Sequence, residues 1–556
     1  MVALSRRQKR WIYGISGATA LALAGVFIAA SMLSHRVEPL IRDEAMRYLS
    51  ERFNSDVKIR ELRIKMPKMS PLNILIKRGR GVTAGVQGEG ILMRYKDTPQ
   101  DLPELFSIDR FSLTVDIGSL SEETTIVDLV ELDGMRINVP PKGERRSLTA
   151  SESGESPSKA SDGEKSSTKV LIREVRIRNG NLKILPKDRA KTPLEFDLQR
   201  VTLTSAGTQH AMKYDADLTN PKPPGQIHSI GTFGPWMADD PSATPLTGDY
   251  EFKNADLGVF KGIAGILRST GNFKGVLSSI VAKGQATVPD FRLTMANNPV
   301  PLSTQFEVLV DGTNGNTVLQ PVKAKLGSTY FQTSGGIIKH EGDKRRSIDL
   351  DANMPAGNLR DVLRLAMKGA PFMEGTLFLK TKISLPPLSS KVREKLGLNG
   401  TFKITNGKFL RSKIQDEIDK LSRKAQGEPN NVEIDEVVSD MHGSFQMENE
   451  KLTFRKLGFS IPGAEMDLAG DYDLDADNVD FVGTVKLKAK VSQTMTGWKR
   501  IALKPVDPFL AKNGAGTFLR VSIEGSAKKP KFGLARNRKK PAEEPETAPT
   551  RAGTAR

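Results

Sequence analysis

From Phe111 onward the chain repeats one pattern of apolar and polar positions, interrupted about every ten residues by Gly, Asn or Asp. Phe111, Leu113, Val115 and Ile117 alternate with polar partners, as do Val175 with Ile177, and Leu182 with Ile184 beyond Asn179-Gly180. The alternation returns in Phe306-Val308-Val310, Leu377-Leu379, Phe445-Met447, Leu452-Phe454 and Val521-Ile523. Successive side chains of a strand point to opposite faces, so period two predicts antiparallel strands with a single apolar face. The fold class is therefore mainly β.

Few stretches depart from this period. Val37, Leu40, Ile41, Tyr48, Leu49 and Phe53 recur at helical spacing and predict an amphipathic helix ending near Asn54. Further amphipathic helices are predicted over Asn358–Lys368, Ile414–Ala425 and Thr494–Leu503. Nearest the N-terminus, Trp11–Leu33 is apolar without a charge, about 23 residues, enough to cross a hydrocarbon core of roughly 30 Å. Arg6, Arg7, Lys9 and Arg10 precede it, which places the N-terminus in the cytoplasm and the rest beyond the membrane. The stretch is longer than the usual cleaved h-region, so it reads as an uncleaved anchor.

Charge changes the picture little. The net +18 comes from 83 basic and 65 acidic residues, with much of the excess in the N-terminal run and in a tail that includes Lys528, Lys529, Lys531, Arg536, Arg538, Lys539 and Lys540. That distribution suits lipid headgroups better than nucleic acid, and no nucleic-acid partner is expected. Cysteine is absent, which excludes disulfides and thiolate chemistry and suits an exported chain. The segment 143–169 is nearly devoid of apolar residues and reads as a disordered linker. The organisation predicted is a cytoplasmic segment 1–10, an anchor 11–33, a first module 36–142, the linker, a central sheet 170–400, a last module 401–534 and a disordered tail 535–556.

The motifs that could carry chemistry fail on context. Gly79, Gly81 and Ala84 fit a degenerate dinucleotide fingerprint but run into Gly85, Gly88 and Gly90, where the required helix would not form. Asp471, Asp473, Asp475 and Asp477 resemble the start of a calcium loop, yet Ala476 and Val482 stand where Gly and Glu are needed. Strand alternation, with Tyr472 and Leu474 inward, explains them better. The five histidines are scattered without a metal-binding spacing. No catalytic residue, metal or cofactor is expected, and the chain reads as a non-enzyme.

The order of several loose motifs resembles the AsmA-like family of bacterial envelope proteins, relatives of the TamB and YhdP proteins. They are Tyr48-Leu49 through Phe53 followed by Val57 to Leu62, then Ala255-Asp256-Leu257 through Gly275, Thr287 to Phe291 and Val310 to Gly315. The C-terminal set is Pro462-Gly463-Ala464, Leu468 to Tyr472, Thr496-Gly497-Trp498-Lys499, Lys504-Pro505 through Phe509, and Gly514 to Thr517. The resemblance implies a long twisted sheet folded into a gutter, apolar inside, that carries phospholipid between membranes and supports outer-membrane homeostasis. It implies the inner membrane and acyl chains as partners, and outer-membrane proteins or another envelope protein beside them. Phe111, Leu113, Val115, Phe306, Val308, Phe445, Met447, Leu452 and Phe454 are the residues expected to line the groove. The alternative is a scaffold or assembly factor for outer-membrane proteins whose apolar face is closed.

Overall fold

The period-two stretches form strands because each offers a row of apolar side chains to one face and charged or hydroxyl groups to the other. The computed structural model describes residues 55–65, 83–95, 104–116, 124–139, 169–185, 193–207, 211–235, 243–276, 278–312, 315–339, 346–387, 392–511, 516–526 and 529–535, with Ser119 and a few positions between 42 and 50. The predicted anchor Trp11–Leu33, segment 143–168 and the tail after Ala535 lie outside them. Among the described residues no helix is long and apolar enough to cross a membrane. The chain divides into two compact units, one within Met1–Phe260, Ala264–Val288 and Gln305–Thr317, the other within Lys261–Ile263, Pro289–Thr304 and Val318–Arg556. Each is mainly β, built on one large sheet with few helices.

The first unit starts with β1 (Ser55–Lys65), β2 (Thr83–Tyr95), β3 (Phe106–Asp116), β4 (Thr124–Asp133), β5 (Arg136–Val139) and β6 (Lys169–Ile184). It continues through β7 (Leu194–Gly207), β8 (Met212–Pro221), β9 (Pro224–Phe233) and β10 (Pro245–Asp256). After the two-residue β11 (Ile263–Ala264) come β12 (Ile266–Val276) and β13 (Ser279–Val288); the two-residue β14 (Arg292–Leu293) falls in the second unit, and β15 (Leu302–Val310) belongs to the first from Gln305 on. Strands β1 to β4 pair antiparallel in turn, β3 also pairs antiparallel with β5, and β6 to β10 followed by β12 and β13 pair antiparallel in turn. Strand β6 lies parallel to β4 over 169–178 and to β5 over 181–184.

Two expectations change here. Asn179-Gly180 does not turn the chain back; it bends one continuous strand where β6 leaves β4 for β5. Asn179 takes a left-handed φ of 52° and its side-chain amide donates to Asp133 Oδ1 at 2.8 Å. Nor do strands on the two sides of segment 143–168 belong to separate cores. Ile172, Val175 and Ile177 of β6 share one buried cluster with Val86, Ile108, Leu113, Val115 and Val127 from β2, β3 and β4. Met46, at one of the helical positions of the predicted N-terminal helix, packs against that same cluster.

The second unit contains β16 (Thr317–Leu326) and then β17 (Thr329–Ile338), β18 (Ser347–Asn358), β19 (Met373–Leu385), β20 (Gly397–Phe409) and β21 (Ser439–Glu448). It ends with β22 (Lys451–Ile461), β23 (Ala464–Asp473), β24 (Asn478–Leu487), β25 (Thr517–Ser526) and β26 (Lys531–Leu534). From β17 to β26 each strand pairs antiparallel with the next. The longer helices enter at one end of the strands: Leu359–Ala366 between β18 and β19, Ser412–Gln426 between β20 and β21, and Trp498–Leu503 before β25; the single turn Val392–Lys395 connects β19 and β20 at the other. Register shifts next to these insertions, at Met354/Gly357, Glu374/Thr376 and Ile404/Gly407, bend the strand ends.

The helix ends follow local chemistry. Asn358 caps Leu359–Ala366 by accepting from Arg360 N at 3.0 Å, where the sequence predicts the start. Gly427, at φ 84°, stops Ser412–Gln426, while Glu428 N donates to Arg423 O at 2.9 Å. Inside that helix Asp419 is buried and accepts from Gln415 Nε2 at 2.9 Å and Val437 N at 3.0 Å. Truncating it orphans the buried Val437 N and leaves Gln415 Nε2 with Val437 O alone, at 2.9 Å, so Asp419→Ala should lower stability by ~1–3 kcal/mol, read by denaturant titration. Asp419→Asn keeps an acceptor oxygen and should cost less. The predicted helix Thr494–Leu503 is interrupted: a 3-10 turn over Val491–Thr494 ends before Gly497 at φ 62°, and the helix proper starts at Trp498.

Candidate functional site

The apolar face changes character along the first unit. Between β1 and β6 it is sealed. Phe111, Leu113 and Val115 are 3, 1 and 0 % exposed, packed within the buried cluster. These three were expected to line a groove; an acyl chain could reach them only by displacing neighbours already at van der Waals density. They form core.

Beyond β6 the same face opens. One cross-strand row runs Leu203, Tyr214, Gly231, Gly248, Phe273 and Ala282 through β7 to β13. The next row holds Val201, Ala216, Ser229, Tyr250, Gly271 and Gly284. The large members of these rows, Leu203, Tyr214, Tyr250 and Phe273, are half-buried, as are Phe306 and Val308 of β15. Glycine under an aromatic ring is what lets this face stay smooth. A Cβ on Gly248 would sit 2.7 Å from the Phe273 ring, and one on Gly284 would sit 3.0 Å from the Phe306 ring.

The hydroxyls on this face are hydrogen-bonded to one another and to the strands. Tyr214 Oη lies 3.0 Å from Ser229 Oγ, which donates to Asp249 O at 2.9 Å. Tyr250 Oη lies 3.0 Å from Ser269 Oγ, which donates to Gln285 O at 3.0 Å. Burial pushes both phenols above their ordinary pKa, against a smaller lowering by the serine hydrogen bonds. The face is thus neutral, with its few polar atoms satisfied.

In the second unit the face carries an aromatic ladder. Phe402 lies 6.2 Å from both Phe445 and Phe454, and Phe454 lies 5.9 Å from Phe481. Gly400, Gly443 and Gly470 stand opposite Phe445, Phe402 and Phe454 on neighbouring strands and leave room for the rings. Phe445, Leu452 and Phe454 are half-buried; Met447, paired with Leu452, is buried. At the helix end this face closes into two small cores, one of Met354, Leu359, Met373, Leu377 and Ile404 and one of Ala425, Val437, Ile461, Ala464 and Leu487. Of the expected groove residues, then, Phe306 and Val308 fall on the open face of the first unit and Phe445, Leu452 and Phe454 on that of the second. Tyr250, Phe273, Phe402 and Phe481 belong to the same faces. Their alternation is visible in Tyr250-Phe252 and Phe402-Ile404, but Gly271 and Gly275 disguise Phe273 as part of a turn.

The polar face offers a competing site. Asp215, Asp217 and His228 converge closely enough to hold a metal ion. Arg200 already supplies the cation: its Nη2 reaches Asp217 at 2.6 Å and Asp215 at 3.1 Å, and His228 Nδ1 lies 2.7 Å from Asp217. The Arg200 hydrogen bond holds the Asp217 carboxyl below its usual range. The cluster is an ion-pair network that stitches β7, β8 and β9 together.

The aspartate run is divided. Asp471 pairs with Lys451 Nζ at 2.8 Å and accepts from Thr453 Oγ1 at 2.6 Å, as expected for an outward strand position. Alternation ends at Asp473, whose Oδ1 accepts from Asp475 N and Ala476 N to close the turn before β24. Gly85, Gly88 and Gly90 lie within β2 and open no helix. No family model, curated protein or solved structure matches the chain.

Proposed function

We propose that this chain is an AsmA-like, inner-membrane-anchored periplasmic protein that holds phospholipid acyl chains on the apolar sheet faces and passes them between membranes. The observation that supports this most is the half-exposed face of β7 to β13 and Phe306 to Val308, where large apolar side chains stand without a covering helix from their own unit among the described residues. Exposed apolar surface of that extent is normally covered or used. An acyl chain laid on it leaves water at a gain of ~0.8 kcal/mol per buried methylene. Movement along the face needs no reacting group. Only physical exclusion of charge and a continuous row of rings and aliphatic side chains are required. A closed scaffold would instead have the seal seen between β1 and β6 along its whole length.

A photo-crosslinking amino acid at positions 306, 307 and 308 in turn tests the reading. Glu307 points to the polar face, where it pairs with Lys283 Nζ at 2.9 Å. Phospholipid adducts should form at 306 and 308 and not at 307. Equal labelling at all three, or none in a folded protein, would replace the lipid reading with the scaffold.

A further inference from the structure

We infer that Met495–Phe509 is a foot that seats the second unit on an anionic phospholipid bilayer. Its architecture turns the one acid inward and the apolar residues outward. Asp507 is buried: its Oδ1 accepts from Ser492 N at 2.9 Å and its Oδ2 from Ser492 Oγ at 2.7 Å. That clasp pins helix Asp507–Leu510 back onto the 3-10 turn Val491–Thr494. Between the pinned ends Gly497, at φ 62°, starts helix Trp498–Leu503, followed by a turn over Lys504–Val506.

The segment so held presents Trp498, Ile501 and Phe509 at 74, 71 and 79 % exposure, with Met495 and Val506 also exposed. Three side chains of this size in one short segment are costly to leave in water. The surrounding charge selects the occupant. From Lys488 to Ala511 the basic residues are Lys488, Lys490, Lys499, Arg500 and Lys504, all exposed, and the only acid is the inward Asp507. Tryptophan prefers the headgroup boundary, and lysine and arginine reach from there to anionic headgroups. Aromatic and aliphatic tips interleaved with cations thus match a negatively charged bilayer. An acidic protein would satisfy the cations but has nothing on this face to show a shaped pocket for its own side chains. The inference does not depend on whether acyl chains occupy the sheet.

The test uses the full-length protein held in zwitterionic nanodiscs and free acceptor vesicles of phosphatidylcholine, with or without phosphatidylglycerol. A Trp11→Phe/Trp236→Phe background leaves Trp498 as the one tryptophan. Brominated chains placed only in the acceptor vesicles should quench Trp498, and the protein should float with the phosphatidylglycerol vesicles only. Trp498→Ser/Phe509→Ser and, separately, Lys499→Glu/Arg500→Glu should each cut flotation by roughly tenfold or more. Val432→Ser, at another exposed apolar residue of the same unit, should not. The charge-reversal pair touches exposed positions alone, so it keeps the test valid if the apolar pair misfolds. Flotation that is equal on both lipids, or intact in the charge-reversed protein, overturns the inference. So does a folded protein that binds neither vesicle, which would leave the face to a protein partner.

Discussion

Leu113→Ala is expected to destabilise the first unit by ~3–5 kcal/mol, while a crosslinker at the same position captures no lipid. Leu113 is 1 % exposed, and its neighbours Val86, Val115, Val127 and Val175 come from four different strands that cannot collapse together without breaking ladder hydrogen bonds. The cavity therefore persists, and the lost transfer energy adds to it. Phe306→Ala removes a larger side chain, but one that is only half-buried, so it should cost less despite its size. Denaturant titration of the two variants orders them. If Phe306→Ala proves the more damaging, the division into a sealed segment and an open face is wrong.

That division could not be read from the sequence, although the strands could. Phe111-Leu113-Val115 and Phe306-Val308-Val310 have the same alternation, because period two reports only that one face is apolar. What seals the first is tertiary. Strand β6 returns parallel to β4 and β5, so Ile172, Val175 and Ile177 close over the same core. Parallel pairing needs a long crossover, and 143–168 offers no apolar periodicity from which to infer one. Asn179-Gly180 misled for a related reason. The dipeptide suits a hairpin turn, but the left-handed Asn179 here bends a strand already fixed by partners on both sides.

Helices were legible where a cap and a stripe coincided. Asn358 and the spacing of Leu359, Val362 and Leu363 gave the first, and the spacing of Ile414, Ile418 and Leu421 gave the second. Thr494–Leu503 lacked that coincidence. Gly497 sits inside it, and its positive φ lets the chain change direction so that Trp498 and Ile501 face outward. The aromatic ladder was half legible. Phe445 and Phe454 stand out in their strands, but their contact with Phe402 depends on registers shifted at Ser444/Phe445 and Phe454/Leu457. A register shift leaves no periodic trace, so the pairing had to come from the structure.

Val308→Asp should strip phospholipid from the purified protein while leaving it folded. Val308 is half-buried on the open face, so a carboxylate there can reach water in the free protein. A bound acyl chain would cover it, and an ionised carboxylate under hydrocarbon costs several kcal/mol. Lipid occupancy, measured by mass spectrometry of the purified protein, should fall at least tenfold, because each ~1.4 kcal/mol is a factor of ten. Val308→Ala keeps the surface apolar and should retain most of the lipid. Glu307→Gln is the control on the other face, since it removes the charge without setting a second cation beside Lys283. The sign of the pH effect adds a second check. An aspartate at 308 is neutral below its pKa, and lipid cover, by desolvating it, raises that pKa above the ordinary ~3.9. Acyl-chain binding by the variant should therefore recover as pH falls through the raised value and be lost as pH rises, while the parent protein changes little over the same range. Lipid retained by Val308→Asp at neutral pH would mean that acyl chains do not lie across this position, and the open face would then need another occupant.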